Sequence, residues 1–161
     1  MLSILIPVYN FAVKNLVNDL SLQAQHLKIP FEILCIDDDS KVKYIKLNDG
    51  LEKIKGVNYQ FNKKNIGRSA IRNLLTDKAQ YDYLLFLDCD IKIADNFIKK
   101  YIDFKDASEV IVGGVSYTDH KKIEKSKLLR WKYGKFREER KAHFRNQRPY
   151  ASFSACNLFI N

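Results

Sequence analysis

An α/β fold with a mostly parallel sheet flanked by helices in three layers is the class this sequence predicts, and three observations predict it. Short apolar runs at residues 2–8, 31–36, 57–61, 83–87 and 110–112 alternate with segments of helical periodicity. Strands spaced by helices of ~10–15 residues are the pattern of βαβ units. Polar residues stand directly behind successive runs, where a parallel sheet gathers its ligands at the C-terminal strand ends. The 161 residues fit one domain, and 46% hydrophobic with 12% aromatic content excludes disorder.

The elements follow in chain order. Residues 2–8 carry Ile4, Ile6 and Val8 and end in Pro7-Val8-Tyr9-Asn10, a buried strand running into a loop. Val13, Leu16, Val17, Leu20 and Leu27 recur at three- and four-residue spacing, a helix that Pro30 stops. Phe31 to Ile36 is a second strand that enters Asp37-Asp38-Asp39-Ser40, where a carboxylate or serine can cap the next helix. Val57 to Phe61 is a short third strand. Asn65-Ile66-Gly67 is turn chemistry opening a helix with Ile71, Leu74, Leu75 and Ala79 on its apolar face. Tyr83 to Leu87 reads as a central strand buried on both faces and ends in Asp88-Cys89-Asp90. A helix from about Asp95 to Asp106 precedes Val110-Ile111-Val112, closed by Gly113-Gly114.

Composition narrows the function classes. No apolar run approaches the ~18 residues of a membrane span. The N-terminus lacks a basic flank and a small-residue cleavage site, so a cytoplasmic location is expected. Cys35, Cys89 and Cys156 lie singly in apolar runs and read as buried thiols rather than a disulfide or zinc framework. The net charge of +9 resides in residues 121–148, where twelve Lys and Arg face three Glu. A protein-wide basic surface for duplex nucleic acid is therefore not indicated.

The chemistry concentrates at the strand ends. Carboxylates crowded after the second and fourth strands repel one another unless a cation joins them. Asp88 and Asp90, spaced i, i+2 beside a cleft, are hard oxygen donors suited to Mg²⁺ or Mn²⁺ that also binds phosphate. Gly67 lets the backbone approach a ligand, and Arg68 with Arg72, one turn apart, can face an anion together. A nucleoside diphosphate fits, with Tyr9 as a stacking ring and Asp38 as an acceptor for an imide N–H of uracil or thymine. The competing structural readings are helix caps or solvated strand ends for the aspartates, core packing for Tyr9, and surface pairing of Arg68 and Arg72 with Asp77 or a similar residue.

In Ser3 to Asn10, Ile36 to Ser40, Asn65-Ile66-Gly67 through Ala70-Ile71-Arg72-Asn73, and Phe86 to Asp90, the sequence resembles the inverting GT-A glycosyltransferases of family 2. The resemblance covers roughly residues 2–115, and Ser154 to Leu158 looks like the later strand bordering the acceptor site. It implies a Rossmann-like GT-A domain over 1–161, with a nucleotide-sugar-binding half to residue 115 and a partial acceptor-side half over 116–161. It also implies a nucleotide-sugar donor, most often a UDP-sugar, whose sugar passes with inversion to a hydroxyl of a glycan or lipid-linked acceptor. Carried over by position, Pro7, Tyr9 and Asp38 would hold the nucleoside, Arg68 or Arg72 would lie near it or the diphosphate, and Asp88 and Asp90 would place the metal, Asp90 directly; Gly67, through its backbone, and Asp88 complete the expected nucleotide-binding set. The family's catalytic base, an Asp or Glu in a Gly-Phe-Asp-Glu-like or Glu-Asp-like segment, has no match before Asn161. The base is therefore unassigned and expected beyond Asn161, in a chain read as truncated and poor in turnover.

Two rival classes remain. A haloacid dehalogenase-type phosphatase also ends a strand in Asp-x-Asp, but on its first strand, with Thr or Val where this chain has Lys92. A non-catalytic single-stranded nucleic-acid module would use Trp131, Tyr133, Phe136 and Phe144 among the Arg and Lys, yet has no use for carboxylates gathered at a cleft. For 121–148 itself, Leu129, Tyr133 and Phe136 share a helical face beside Leu128 and Trp131. That face fits either a peripheral membrane helix at the inner leaflet or an amphipathic helix packed on the sheet, the second being favoured.

Overall fold

In a computed structural model the chain is described at every residue except His120 and Lys122, and for Ser152 only the backbone is described. Lys122, counted in the basic segment, thus lies outside the described residues. The strands are β1 (Leu2–Val8), β2 (Phe31–Asp38), β3 (Val57–Asn62), β4 (Tyr83–Leu87), β5 (Val110–Val112) and β6 (Asn157–Ile160). The helices are α1 (Lys14–His26), α2 (Val42–Leu47), α3 (Arg68–Lys78), α4 (Phe97–Phe104), α5 (Leu128–Tyr133) and α6 (Ala142–Gln147).

One six-stranded sheet has the order β3-β2-β1-β4-β6-β5. The pairs β1–β2, β1–β4 and β2–β3 are parallel. β6 runs antiparallel to both β4 and β5 and lies between them. Strand order reverses direction about β1, so the exits of β1 and β4 flank a topological switch point, the place where open α/β sheets bind ligands.

Alternation along the strands builds both cores. Ile4, Ile6, Ile33, Cys35, Leu85 and Leu87 face α1 and α4, meeting Val17, Leu20, Ala24, Ile98 and Tyr101. Leu5, Leu34, Ile36 and Phe86 face α3, meeting Ile71 and Leu75. Each fully buried Leu or Ile contributes ~1.5–3 kcal/mol of transfer free energy, which fixes the register because a one-residue slip would reverse every face.

The polar exceptions close the sheet's other edge. Buried Glu32 accepts from the Ser3 hydroxyl and, at 2.6 Å, from the Gln80 backbone N–H. These bonds tie the starts of β1 and β2 to the turn before β4.

Several expectations are corrected. The predicted strand at Ser154–Leu158 begins three residues later, because Ser154 turns back to accept from the Cys156 N–H at 3.4 Å. The helix predicted from Asp95 to Asp106 spans only Phe97–Phe104. Tyr83 and Leu84 are half-buried, so β4 is buried on both faces only from Leu85 onward. Of the cysteines only Cys35 is buried; Cys89 and Cys156 lie in loops and keep partial exposure.

The basic segment is not one helix packed on the sheet. α5 continues into a π-helical turn at Gly134–Glu138, breaks at Glu139, and resumes as α6. Gly134 sits against the Tyr117 ring, where a Cβ would collide. Leu129 and Phe136 remain 82% and 78% exposed, so the apolar face finds no sheet to cover it. Among the described residues no helix is long and apolar enough to cross a membrane.

Candidate functional site

The strand exits are assembled by side-chain bonds to backbone. At the end of β1, Asn10 adopts φ 52°, and at the end of β2, Asp39 adopts φ 68°, left-handed conformations that Asn and Asp tolerate best among residues with a Cβ. The two turns are laced together: Asn10 N–H donates to Ser40 Oγ at 2.7 Å, and Lys41 N–H donates to Asn10 Oδ1 at 2.9 Å. Asn48, fully buried, donates to the Phe11 carbonyl and accepts from Val13 N–H, both at 2.9 Å. That fixes the Tyr9–Val13 loop.

The three consecutive aspartates divide their work. Asp37 is fully buried and structural, accepting from Ser40 N–H at 2.7 Å and from the Tyr59 hydroxyl at 2.9 Å. Burial and this bond to Asp37 push the Tyr59 phenol up. Asp39 is exposed. Asp38 turns into the cleft with 3% exposure, and its carboxylate accepts from Asn62 Nδ2 at 3.1 Å, Ile66 N–H at 3.0 Å and Gly67 N–H at 2.9 Å. Asn65 Nδ2 donates to the Asp38 carbonyl at 2.9 Å. Asp38 therefore holds the Asn65–Gly67 turn in shape, and most of its acceptor capacity is already used.

Gly67, at φ 86° and ψ 167°, occupies a region essentially reserved for glycine and directs the chain into α3. α3 carries Arg68 and Arg72. Arg72 Nη2 contacts Asp88 Oδ1 at 2.6 Å, so its partner is Asp88 and not Asp77. Asp88 in turn donates its N–H to the Cys156 carbonyl at 3.0 Å, which ties the β4 exit to the entry of β6. Asp90 is exposed and has no hydrogen bond or ion pair among the described residues.

These residues meet. Pro7, Tyr9, Asp38, Gly67, Arg68, Arg72, Asp88 and Asp90, all singled out by sequence, line one cleft of about 420 Å³ at the switch point. Phe11, Asn65 and Cys89 line it as well and were not assigned to it by sequence. Tyr9 is 54% exposed, presenting a ring to the cleft rather than packing in the core. Cys89 has its thiol pushed up to about 11, chiefly by burial, so it stays protonated near neutrality.

The donor set suits a hard divalent cation that shares its coordination with a ligand. Among the described residues no group of three or more His, Cys, Asp or Glu could hold an ion alone. Mg²⁺-like ions are held by one or two carboxylates with phosphates and waters completing the shell, and Asp90 with the free Asp88 oxygen matches that pattern. His26 and His143 are exposed and lie outside the cleft.

A family model described as glycosyl transferase family 2 matches residues 3–159. An uncharacterized glycosyltransferase of Haemophilus influenzae is 35% identical over 108 residues, which is 65% of this chain and 42% of that protein. A chondroitin synthase of Pasteurella multocida is 29% identical over 135 residues, 80% of this chain and 14% of that one. The chain thus spans less than half the length of these curated relatives. Among solved structures, S. aureus TarS 1-349 superposes with a TM-score of 0.68 at 18% identity, covering 99% of this chain and 46% of that one. TarS in complex with UDP-GlcNAc gives 0.62 at 22% identity over 78% of this chain and 37% of that one. The mannosyltransferase PcManGT from Pyrobaculum calidifontis, crystallised with GDP-Man and Mn²⁺, gives 0.56 at 13% identity over 72% and 35%. At such identities these three show the fold.

Proposed function

The chain belongs to glycosyl transferase family 2, and from that premise we propose that its cleft binds a nucleotide-sugar, UDP-linked by first expectation, for metal-assisted sugar transfer to an acceptor hydroxyl. The observation that carries the proposal is the convergence of Tyr9, Asp38, Arg68, Arg72, Asp88 and Asp90 on one cleft from four separate parts of the chain. The UDP-GlcNAc bound by TarS supports the choice of nucleotide.

In this reading each residue has a task set by its surroundings. Tyr9 stacks on the base, with Pro7 and Phe11 lining the same cleft. Asp38 shapes the Ile66–Gly67 backbone so that the turn lies close to the ligand, and meets the base edge with what acceptor capacity remains. Arg68, exposed at the start of α3, offers its guanidinium to the diphosphate. Arg72 restrains Asp88 through one oxygen and leaves the other to face the cleft. Asp90, with no competing partner among the described residues, is the carboxylate best placed to hold Mn²⁺ or Mg²⁺. Such an ion, when bound, stabilises the negative charge of the departing diphosphate.

Thermal unfolding of the full chain with UDP, GDP, TDP or CDP, with and without Mn²⁺, tests the proposal. Ligand at ~100 times its Kd adds about 2.7 kcal/mol to the native state. A rise in Tm that needs both UDP and Mn²⁺, and that disappears in Asp90→Ala while the unliganded Tm stays put, is the expected result. No metal-dependent rise with any of the four nucleotides would sink it.

A further inference from the structure

A second cavity, of about 340 Å³, lies on the other side of β6 from the switch point and is lined by Arg137, Arg140 and Arg145 together with Gly114, Ser154 and Cys156. Three guanidinium groups around one concavity repel one another, and folding tolerates this only where solvent or an anion screens them.

The charges are not consumed by the protein. Arg137 and Arg140 make no hydrogen bond or ion pair among the described residues. Glu138 also lines the cavity, but it is already bound by Arg130 at 2.9 and 3.2 Å and by the Tyr117 hydroxyl. Arg145 is the fixed member. Its Nη1 donates to the carbonyls of Val112 and Gly113 at 2.8 and 3.1 Å, which anchors the guanidinium to the end of β5. Its Nε is buried with no hydrogen-bond partner among the described residues, as is the Nε of Arg72.

The cavity also adjoins the donor cleft. Cys156 lines the arginine cavity, and its carbonyl accepts the N–H of Asp88, which lines the cleft. One backbone hydrogen bond thus links the lining of the two cavities.

We propose that this arginine cavity binds an anionic group, phosphate or carboxylate, carried by the acceptor. The acceptor assignment rests on the sugar-transfer reading above; the anion site does not. Planar guanidinium groups pair with both anions through parallel N–H···O bonds, and Arg145, already held by the β5 carbonyls, adds no ordering cost of its own.

Glycerol 1-phosphate, methyl glucuronide and neutral methyl glucoside are titrated into the full chain by saturation-transfer NMR, in the presence of saturating UDP and Mg²⁺. One or both anions are expected to bind, the stronger naming the acceptor's charge, with no binding of methyl glucoside. The double variant Arg137→Gln/Arg140→Gln, which removes no internal bond, weakens the anion about tenfold and leaves the Tm rise with UDP and Mg²⁺ intact.

Anions that bind no better than methyl glucoside, or that the double variant binds unchanged, overturn the site. So does anion binding that is seen only when UDP is left out, which would put the anion in the donor cleft. Retention on phosphatidylglycerol vesicles that depends on the two arginines, without binding of soluble anions, reassigns them to a lipid surface. Anion binding in a chain that UDP and Mg²⁺ fail to stabilise keeps the anion site and removes both the acceptor assignment and the sugar-transfer reading.

Discussion

The two sides of β6 handle charge in opposite ways. On the switch-point side, Asp37 and Asp38 are buried and each of their four carboxylate oxygens is met by a backbone N–H, an amide or a phenol. On the basic side, Arg137 and Arg140 face a cavity with no partner among the described residues, and Leu129 and Phe136 stand in solvent. Desolvation makes the first arrangement obligatory, since a buried charge without partners costs several kcal/mol. Solvation makes the second affordable and leaves it adaptable. The difference teaches that the turn held by Asp38 at the switch-point cleft is shaped before any ligand arrives, while the arginine cavity relies on what enters it.

Removing an acceptor should therefore hurt far more on the switch-point side. Asp38→Ala strands the Ile66 and Gly67 N–H groups and is expected to cost about 3 kcal/mol, read as a lower urea midpoint with an unchanged slope. A loss under ~1 kcal/mol would mean that the turn holds itself and that the contrast is overstated. A smaller effect is expected at Gly67. Nothing lies within 4 Å of an added Cβ there, so Gly67→Ala isolates backbone strain at φ 86°. That strain amounts to about 2 kcal/mol, and the same denaturation experiment checks it; a neutral outcome would show that the turn can relax out of this conformation.

The smallest effect belongs to acid. Hydrogen bonds from Arg130 and Tyr117 hold the Glu138 carboxyl below its ordinary value of 4.5, and the Lys135 bond does the same for Glu139. Their contribution is complete above that ordinary value and is lost as pH falls through the lowered one. Trp131, the chain's one tryptophan, donates to the Thr118 carbonyl at 2.7 Å beside this cluster. Its fluorescence is expected to change on acidification below pH 4.5 while far-ultraviolet circular dichroism of the sheet holds. Simultaneous loss of both signals would show that the two regions unfold as one.

Periodicity carried the sequence reading a long way because β1 and β2 are buried on both faces, as β4 is from Leu85 onward, and leave uninterrupted apolar runs such as Tyr83-Leu84-Leu85-Phe86-Leu87. Local turn chemistry likewise revealed Gly67 at the head of α3. Strand order is another matter. That β6 inserts antiparallel between β4 and β5 depends on contacts across some seventy residues, which no local pattern encodes. The cleft residues were legible as a set, since acids and a tyrosine after apolar runs are unusual. Their partners were not: Asn48 reads as an ordinary loop residue near Gly50, and nothing local says that Arg72 meets Asp88 or that Asp38 spends itself on a neighbouring turn. The basic segment misled for the same reason. An amphipathic pattern states which face is apolar and is silent about whether anything packs there.

The late arrival of β6 sets an order of events during synthesis. Among the described strands β5 pairs with β6 alone, so those three residues have no ladder until the chain has been made to Ile160. Until then the outer edge of β4 stays open, and the amide of Asp88 waits for the carbonyl of Cys156. A nascent chain thus gains the cleft-lining Asp88 in final position only when the far wall is in place, so neither compartment is finished ahead of the other.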